Sequence, residues 1–345
     1  MIDLEQYHLG STAREIAAGV EGAVRRGELA PGEPLPPVRA LARSLGVSPA
    51  TVATALGALR RRGVIVSRER RGTTVSARPP VAIEPRLRAP APGVRDVAHG
   101  NPDARLLPDL SAALHRLEVP LRLYREEPAI PELLALAAPD LFAPGVPTDD
   151  LCVVSGALDG VERALTAHLV PGDVVAVEDP CYVGQLYLVR ALGLVPAPVR
   201  VDDRGPLPDA LAAVLPRARA ALLTPRAQNP TGAALDADRA RALGDVLAAS
   251  PDVVVIEDDH LGPVAGVPGA TTVGRARRWA VVRSVAKALG PDLRVAVLAG
   301  DPETMGRVGG RHLVGPGWVS TILQRLVVAL LSSPEVRRGL DDAEA

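Results

Sequence analysis

The sequence predicts an α/β protein whose mainly parallel sheet follows a small helix-turn-helix head with a β wing. Three observations carry that expectation. From about Asp96 onward, strand-like apolar runs alternate with helical stretches, as at 150–154, 156 onward and 174–177, which is the pattern of a parallel sheet with crossover helices. Residues 1–80 hold 12 arginines against 7 acidic residues, an excess of five positive charges that leaves the rest of the chain at −6 within a net charge of −1. A small basic head on an acidic body is the electrostatic footprint of nucleic-acid contact. Between the two, Pro79, Pro80, Pro85, Pro90 and Pro92 are dense enough to exclude helix and sheet and to give an extended connector over 79–94.

Composition bounds the reading. A length of 345 residues with 47% hydrophobic content suits two or three domains with buried cores. With 2% aromatic residues, those cores are built mostly from Leu, Val and Ala. Cys152 and Cys181 are too few for a disulfide framework or a four-ligand zinc site and fit a reducing cytoplasm. The opening Met1-Ile2-Asp3-Leu4-Glu5 is not a basic-then-apolar leader, and there is no uninterrupted apolar span of about 18 residues, so neither a signal peptide nor a membrane helix is expected.

In the head, residues 1–78, a helix is predicted from Ser11 to about Gly27 with Ile16, Val20 and Val24 on one face. A second runs from Val38 to Leu45. Gly46-Val47 separates it from a third, for which Ser48 is the N-cap and Pro49 the first helical residue. Gly63 stops that helix after Arg62. Val64 to Ser67 and Thr73 to Ser76 are β-prone runs around the basic turn Arg68-Glu69-Arg70-Arg71-Gly72, which makes a wing.

In the body, residues 95–345, the motifs fall at strand ends, where α/β sheets hold ligands. Ser155-Gly156-Ala157 opens a helix after the strand Leu151 to Val154, a place suited to a phosphate. Asp179-Pro180-Cys181-Tyr182 and Asn229-Pro230-Thr231-Gly232 follow later strands, and the buried run Val253 to Ile256 ends in Glu257-Asp258-Asp259-His260. No supporting His/Cys set accompanies these acids, so no metal is expected. Lys287 is the only lysine; the other 38 basic residues are arginine. An amine can lose its proton and attack a carbonyl, which a guanidinium cannot do, so Lys287 is a candidate for Schiff-base chemistry. Ser284 and Arg294, three residues before it and seven after, are placed to reach one phosphate.

Two resemblances give these motifs a family. Gly32-Glu33-Pro34-Leu35-Pro36-Pro37-Val38-Arg39-Ala40-Leu41-Ala42 and Leu45 to Val52, with the order of elements, resemble the GntR-type winged helix. That implies a third helix in the major groove with Ser48, Thr51 and Thr54 on bases or phosphates, Arg39 on the backbone, and Arg68, Arg70, Arg71 and Gly72 at the minor groove. Pro49 stands where many relatives have arginine, so operator preference does not transfer. Residues 95 to 335 resemble the fold-type I aminotransferases, which implies pyridoxal 5′-phosphate held as an aldimine on Lys287. The same resemblance implies Asp258 under the pyridine nitrogen, Asn229 on the phenolic oxygen, Tyr182 stacked on the ring, and Ser155, Gly156, Ala157, Ser284 and Arg294 around the phosphate. His260 replaces the usual tyrosine near the phenolic oxygen, and Tyr124 matches a residue that reaches the partner subunit's phosphate, which implies a homodimer. The small carboxy-terminal lobe of the family is expected to be missing.

Together the two parts resemble the MocR-type subgroup of GntR regulators. The function implied is a cytoplasmic, DNA-binding transcription regulator that senses pyridoxal phosphate, a small amine or an amino-acid-like effector. The alternatives are a pyridoxal-phosphate-dependent aminotransferase with an accessory DNA-binding head, and a degenerate regulator that no longer binds the cofactor.

Overall fold

The computed structural model describes residues 10–26, 28–61, 63–68, 72–76, 93–94 and 100–344. The expected helix stop at Gly27, the last helical residue Arg62, the wing arginines Arg70 and Arg71, and nearly all of the Pro-rich connector lie outside the described residues. The chain divides into two compact units.

In the amino-terminal unit, α1 spans Ala13–Arg25. It starts two residues later than periodicity suggests because Thr12 and Glu15 form a capping box. Thr12 Oγ1 accepts the Glu15 N–H at 3.2 Å, and the Glu15 carboxylate accepts the Thr12 and Ser11 N–H groups, satisfying donors that the first helical turn leaves open. Helices α2, Val38–Ser44, and α3, Pro49–Arg61, flank a turn in which Gly46 takes φ 63°. The Ser48 hydroxyl accepts the Thr51 N–H at 3.0 Å, as an N-cap should. At the other end Gly63, at φ 68°, donates to Arg60 O while Val64 reaches back to Leu59 O, which closes the helix. Strands β1, Ile65–Arg68, and β2, Gly72–Val75, pair antiparallel with Ile65 opposite Val75. Ile16, Val20, Leu41, Val52, Leu59 and Val75 fill the core. Ala17 and Ala23 join them on α1, whereas Val24 stays partly exposed.

The larger unit runs through α4 (Leu110–His115), α5 (Pro131–Asp140), β3 (Leu151–Val154), α6 (Ala157–His168), β4 (Val174–Asp179), α7 (Val183–Ala191), β5 (Val195–Asp202) and β6 (Gly205–Pro206). There follow α8 (Pro208–Val214), β7 (Ala220–Leu223), α9 (Ala237–Ala248), β8 (Val254–Asp259), β9 (Arg278–Ser284), α10 (Ala286–Leu289), β10 (Ala296–Gly300), α11 (Pro302–Leu313), α12 (Thr321–Ser332) and α13 (Pro334–Glu344). The sheet order is β3-β10-β9-β8-β7-β4-β5-β6. Its centre, β4, β7, β8 and β9, is parallel, and β10 runs antiparallel to both β9 and β3. The central strands read as apolar runs because their residues are buried on both faces. Strand β8 continues three residues past the apolar run, so Glu257, Asp258 and Asp259 belong to the strand and all are buried. Among the described residues no helix is long and apolar enough to cross a membrane, and no group of three or more His, Cys, Asp or Glu could hold a metal ion.

Candidate cofactor and DNA-binding sites

Register brings the predicted body residues to one edge of the sheet. Val154, Ala296 and Ser284 sit level across β3, β10 and β9, and Asp259 sits level with Arg283 across β8 and β9. Ser155-Gly156, Arg294, Ser284, His260 and Lys287 therefore leave the sheet on the same side. The Arg294 guanidinium donates to Ser155 O at 3.1 Å. Gly156 lies so close beneath it, at φ 96°, that a Cβ there would stand 2.6 Å from Arg294 Nη2, so this turn requires glycine. Asp159 takes the Ser155 N–H at 2.8 Å and pairs with Arg163, and Ala157 opens α6. Buried Ser284 accepts the Ala286 N–H at 3.2 Å.

Lys287 stands in the single turn α10, and its amine donates to the carbonyl of Gly100. Partial burial lowers its pKa, because desolvation disfavours an ammonium. The amine borders a cavity of about 330 Å³ walled by Leu106, Leu107, Leu261, Val264 and Leu340.

Asp258 is 3% exposed. Its Oδ2 accepts the Gln185 side-chain amide at 2.8 Å, while its Oδ1 is fully buried with no hydrogen-bond partner. Burial raises its pKa. Its neighbour Asp259 is pushed upward by burial, but Arg283 and Arg226 overcome that and hold it below the usual carboxylate range. Arg226 grips Asp259 with two bonds of 2.8 and 2.9 Å, and Arg283 donates to the carbonyls of Asp259 and Leu141. Arg283 is buried to 1% exposure, and burial lowers its pKa to about 10. The room for its guanidinium comes from Gly262, whose missing side chain would overlap it. Both cations thus pair with Asp259, and Arg283 also acts electrostatically on Asp258.

An acceptor of this kind fits the ring nitrogen of pyridoxal phosphate. A buried carboxylate oxygen without a donor costs free energy unless something donates to it, and a protonated ring nitrogen is such a donor.

Asn229 is exposed in the loop after β7, next to buried Gln228. Gln228 donates to Glu178 Oε2 at 3.0 Å and to Pro180 O at 2.7 Å, and accepts from Thr231. The other Glu178 oxygen accepts the Thr224 N–H at 2.8 Å. Burial lifts the Glu178 carboxyl to about 7. Tyr182 follows Cys181 at the start of α7 with its ring against Gly184. Neither Cys152 nor Cys181 is in a disulfide, and burial raises Cys152 to about 12. Tyr124 is 85% exposed and meets Trp318 edge-on at 5.7 Å between ring centroids.

On the head, Ser48 and Thr54 are exposed and Thr51 partly so. Ser48 and Thr51 share a hydroxyl hydrogen bond of 2.8 Å, and Thr54 donates to Ala50 O. Arg39 borders a groove with Arg43, Gly46 and Pro49. Gly72, at φ 76°, begins β2. The side chain of Arg68 is outside the description.

Sequence reasoning passed over Gln185, Glu178, Gln228, Arg226, Asp259 and Arg283. Gln228 carried a signal by adjoining Asn229. The acids carried one by lying inside an apolar strand. Gln185 carried none.

The family model for bacterial regulatory proteins of the gntR family matches residues 12–75, and that for aminotransferase class I and II matches residues 112–343. The chain is 43% identical over 334 residues to the vitamin B6 salvage pathway transcriptional repressor PtsJ of Salmonella typhimurium, covering 96% of this chain and 77% of that protein. It is 30% identical over 269 residues to the pyridoxine biosynthesis transcriptional regulator PdxR of Corynebacterium glutamicum, covering 75% and 58%. The fold matches the crystal structure of Pyrococcus horikoshii kynurenine aminotransferase with a TM-score of 0.63 at 19% identity, over 71% of this chain and 65% of the other.

Proposed function

This chain belongs to the MocR-type GntR regulators, and from that premise we propose that it binds operator DNA through residues 1–78 and senses pyridoxal phosphate, or an amine that reacts with it, through residues 95–345, with 79–94 as the connector. The observation that carries the reading is the unpartnered Asp258 Oδ1, one strand away from the strand that leads to the only lysine. The names of two relatives, a B6 salvage repressor and a pyridoxine biosynthesis regulator, support a B6 compound as the signal.

When bound, pyridoxal phosphate supplies a carbonyl carbon that condenses with primary amines and a ring that withdraws electrons. The residues of this chain do the rest. Lys287 offers an amine that burial makes easier to deprotonate. Asp258 accepts a proton-bearing ring nitrogen and keeps it charged. Asn229 and His260 serve the phenolic oxygen, and Tyr182 covers the ring face. Ser155, Gly156, Ala157, Ser284 and Arg294 hold the phosphate, with Arg294 supplying the charge. Tyr124 reaches the phosphate of a second subunit in a homodimer, for which the exposed run Val119, Leu121, Leu123 and Tyr124 provides apolar contact surface.

On the head, Ser48, Thr51 and Thr54 present hydroxyls to the major groove with Arg39 on phosphate, while Arg68, Arg70, Arg71 and Gly72 serve the minor groove. A ligand acts through its differing affinity for two arrangements of the dimer. The protein works in the cytoplasm, where DNA and free thiols are found together.

The test is a titration of the purified full chain with pyridoxal phosphate, followed by borohydride reduction and operator binding. The expected result is a visible absorbance band, mass added at Lys287, and an operator affinity that depends on the cofactor. Repeated turnover of an amino donor with a keto acid would instead make the chain a working aminotransferase.

A further inference from the structure

We propose that Gln185 is a positioning residue for the cofactor: its side-chain amide holds Asp258 Oδ2 so that Oδ1 stays open to the ring nitrogen. The inference rests on the functional reading above and adds a residue that no motif contains.

The geometry is asymmetric. Of the two Asp258 oxygens, one takes the Gln185 Nε2 hydrogen at 2.8 Å and the other takes nothing, although both lie within the buried end of β8. Gln185 is itself 4% exposed on α7, so its amide is held by packing. Without that bond the carboxylate would rotate about its last side-chain torsion, which is broad and soft. With it, one rotamer is fixed.

The identity of the donor matters as much as its place. Around Asp258 the buried cations Arg226 and Arg283 both bind Asp259, and Gln185 is neutral. Gln185 therefore orients Asp258 without compensating its charge. An arginine or lysine in its place would satisfy the oxygen and cancel the charge together, leaving less reason for a cationic ring nitrogen to bind. The direction of Asp258 is thus set by an uncharged group, while His260 and Arg283 favour its charged form against burial.

The experiment is a double-mutant cycle on the full chain, reading pyridoxal phosphate affinity by absorbance titration and the thermal midpoint of the cofactor-free protein. The variants are Gln185→Met, Asp258→Ala and the pair. Met keeps the volume of the side chain and removes the donor. Losing a hydrogen bond to a charged group predicts roughly a tenfold weaker affinity in Gln185→Met, with a lower cofactor-free midpoint as well, because the buried Asp258 Oδ2 loses its donor. In the Asp258→Ala background the same substitution should cost almost nothing, because Gln185 acts only through that carboxylate.

Gln185→Arg adds a second arm: it should weaken affinity further than Gln185→Met despite retaining a donor. Equal affinity of Gln185→Met and the unsubstituted chain overturns the inference and leaves the functional reading standing. So does a loss of the same size with and without the Asp258 carboxylate, which would mark a packing role. If the unsubstituted chain gives no lysine-linked band at all, the functional reading fails and the inference with it.

Discussion

Glu178 links the β4 end to the loop that presents Asn229, through the Thr224 N–H and the Gln228 amide. Its carboxyl moves from the ordinary 4.5 to about 7 because burial, reinforced by the nearby Asp258, penalises the charge more than the Thr224 and Gln228 donors offset. A raised folded-state value means that the folded chain binds the extra proton. The stability this group contributes is full below about 4.5 and is lost as pH rises through 7. Glu178→Gln should therefore flatten the fall in thermal midpoint between acid and mildly alkaline solution, a fall worth a few kcal/mol; calorimetry over that range checks it, and an unchanged slope contradicts it. Arg283→Met leaves Asp259 with one guanidinium instead of two and should destabilise the body by about 3 kcal/mol in denaturant unfolding. Lys287 stood out in the sequence as the only lysine, and Asp258 was assigned from the resemblance of its acidic motif. Gln185, Arg226 and Arg283 were not. Their partners lie 73, 33 and 24 residues away in the chain, and such pairings exist only once strands and helices have come together.

Helix α3 joins a folding role and a proposed recognition role at one residue. Ser48 caps it and is exposed to solvent. Ser48→Ala should cost about 1 kcal/mol of head stability through the lost cap and weaken operator binding as well. Ser48→Asp keeps an N-cap acceptor and suits the positive end of the helix dipole, so stability should hold while repulsion by DNA phosphates weakens binding. Circular-dichroism melts with gel-shift titrations separate the two; normal operator affinity in both variants would remove Ser48 from the DNA contacts. The boundaries of α3 were legible from Ser48, Pro49 and Gly63, whose side chains or backbone freedom act locally. The entry to α1 was less so, since two candidate caps, Ser11 and Thr12, stand side by side and the Glu15 carboxylate decides between them. At β8 the apolar run marked the strand, and tertiary partners carry it on through Glu257, Asp258 and Asp259.

For the whole molecule, the charge division between head and body predicts that operator affinity falls steeply with salt, log–log linear, as counterions are released from the phosphates the head contacts. A flat salt response would argue against DNA as the partner of residues 1–78. The alternation of strands and helices made the α/β sheet legible, but the reversed direction of β10 was not, because periodicity carries no information on strand polarity. That reversal is what carries Arg294 to the turn at Ser155. The account as a whole stands on a covalent bond between Lys287 and pyridoxal phosphate. Borohydride reduction of the cofactor-loaded full chain, followed by peptide mass mapping, tests it most directly. The expected result is the reduced cofactor on the peptide containing Lys287 and its loss in Lys287→Ala; an unmodified Lys287 peptide from protein saturated with pyridoxal phosphate would contradict the account.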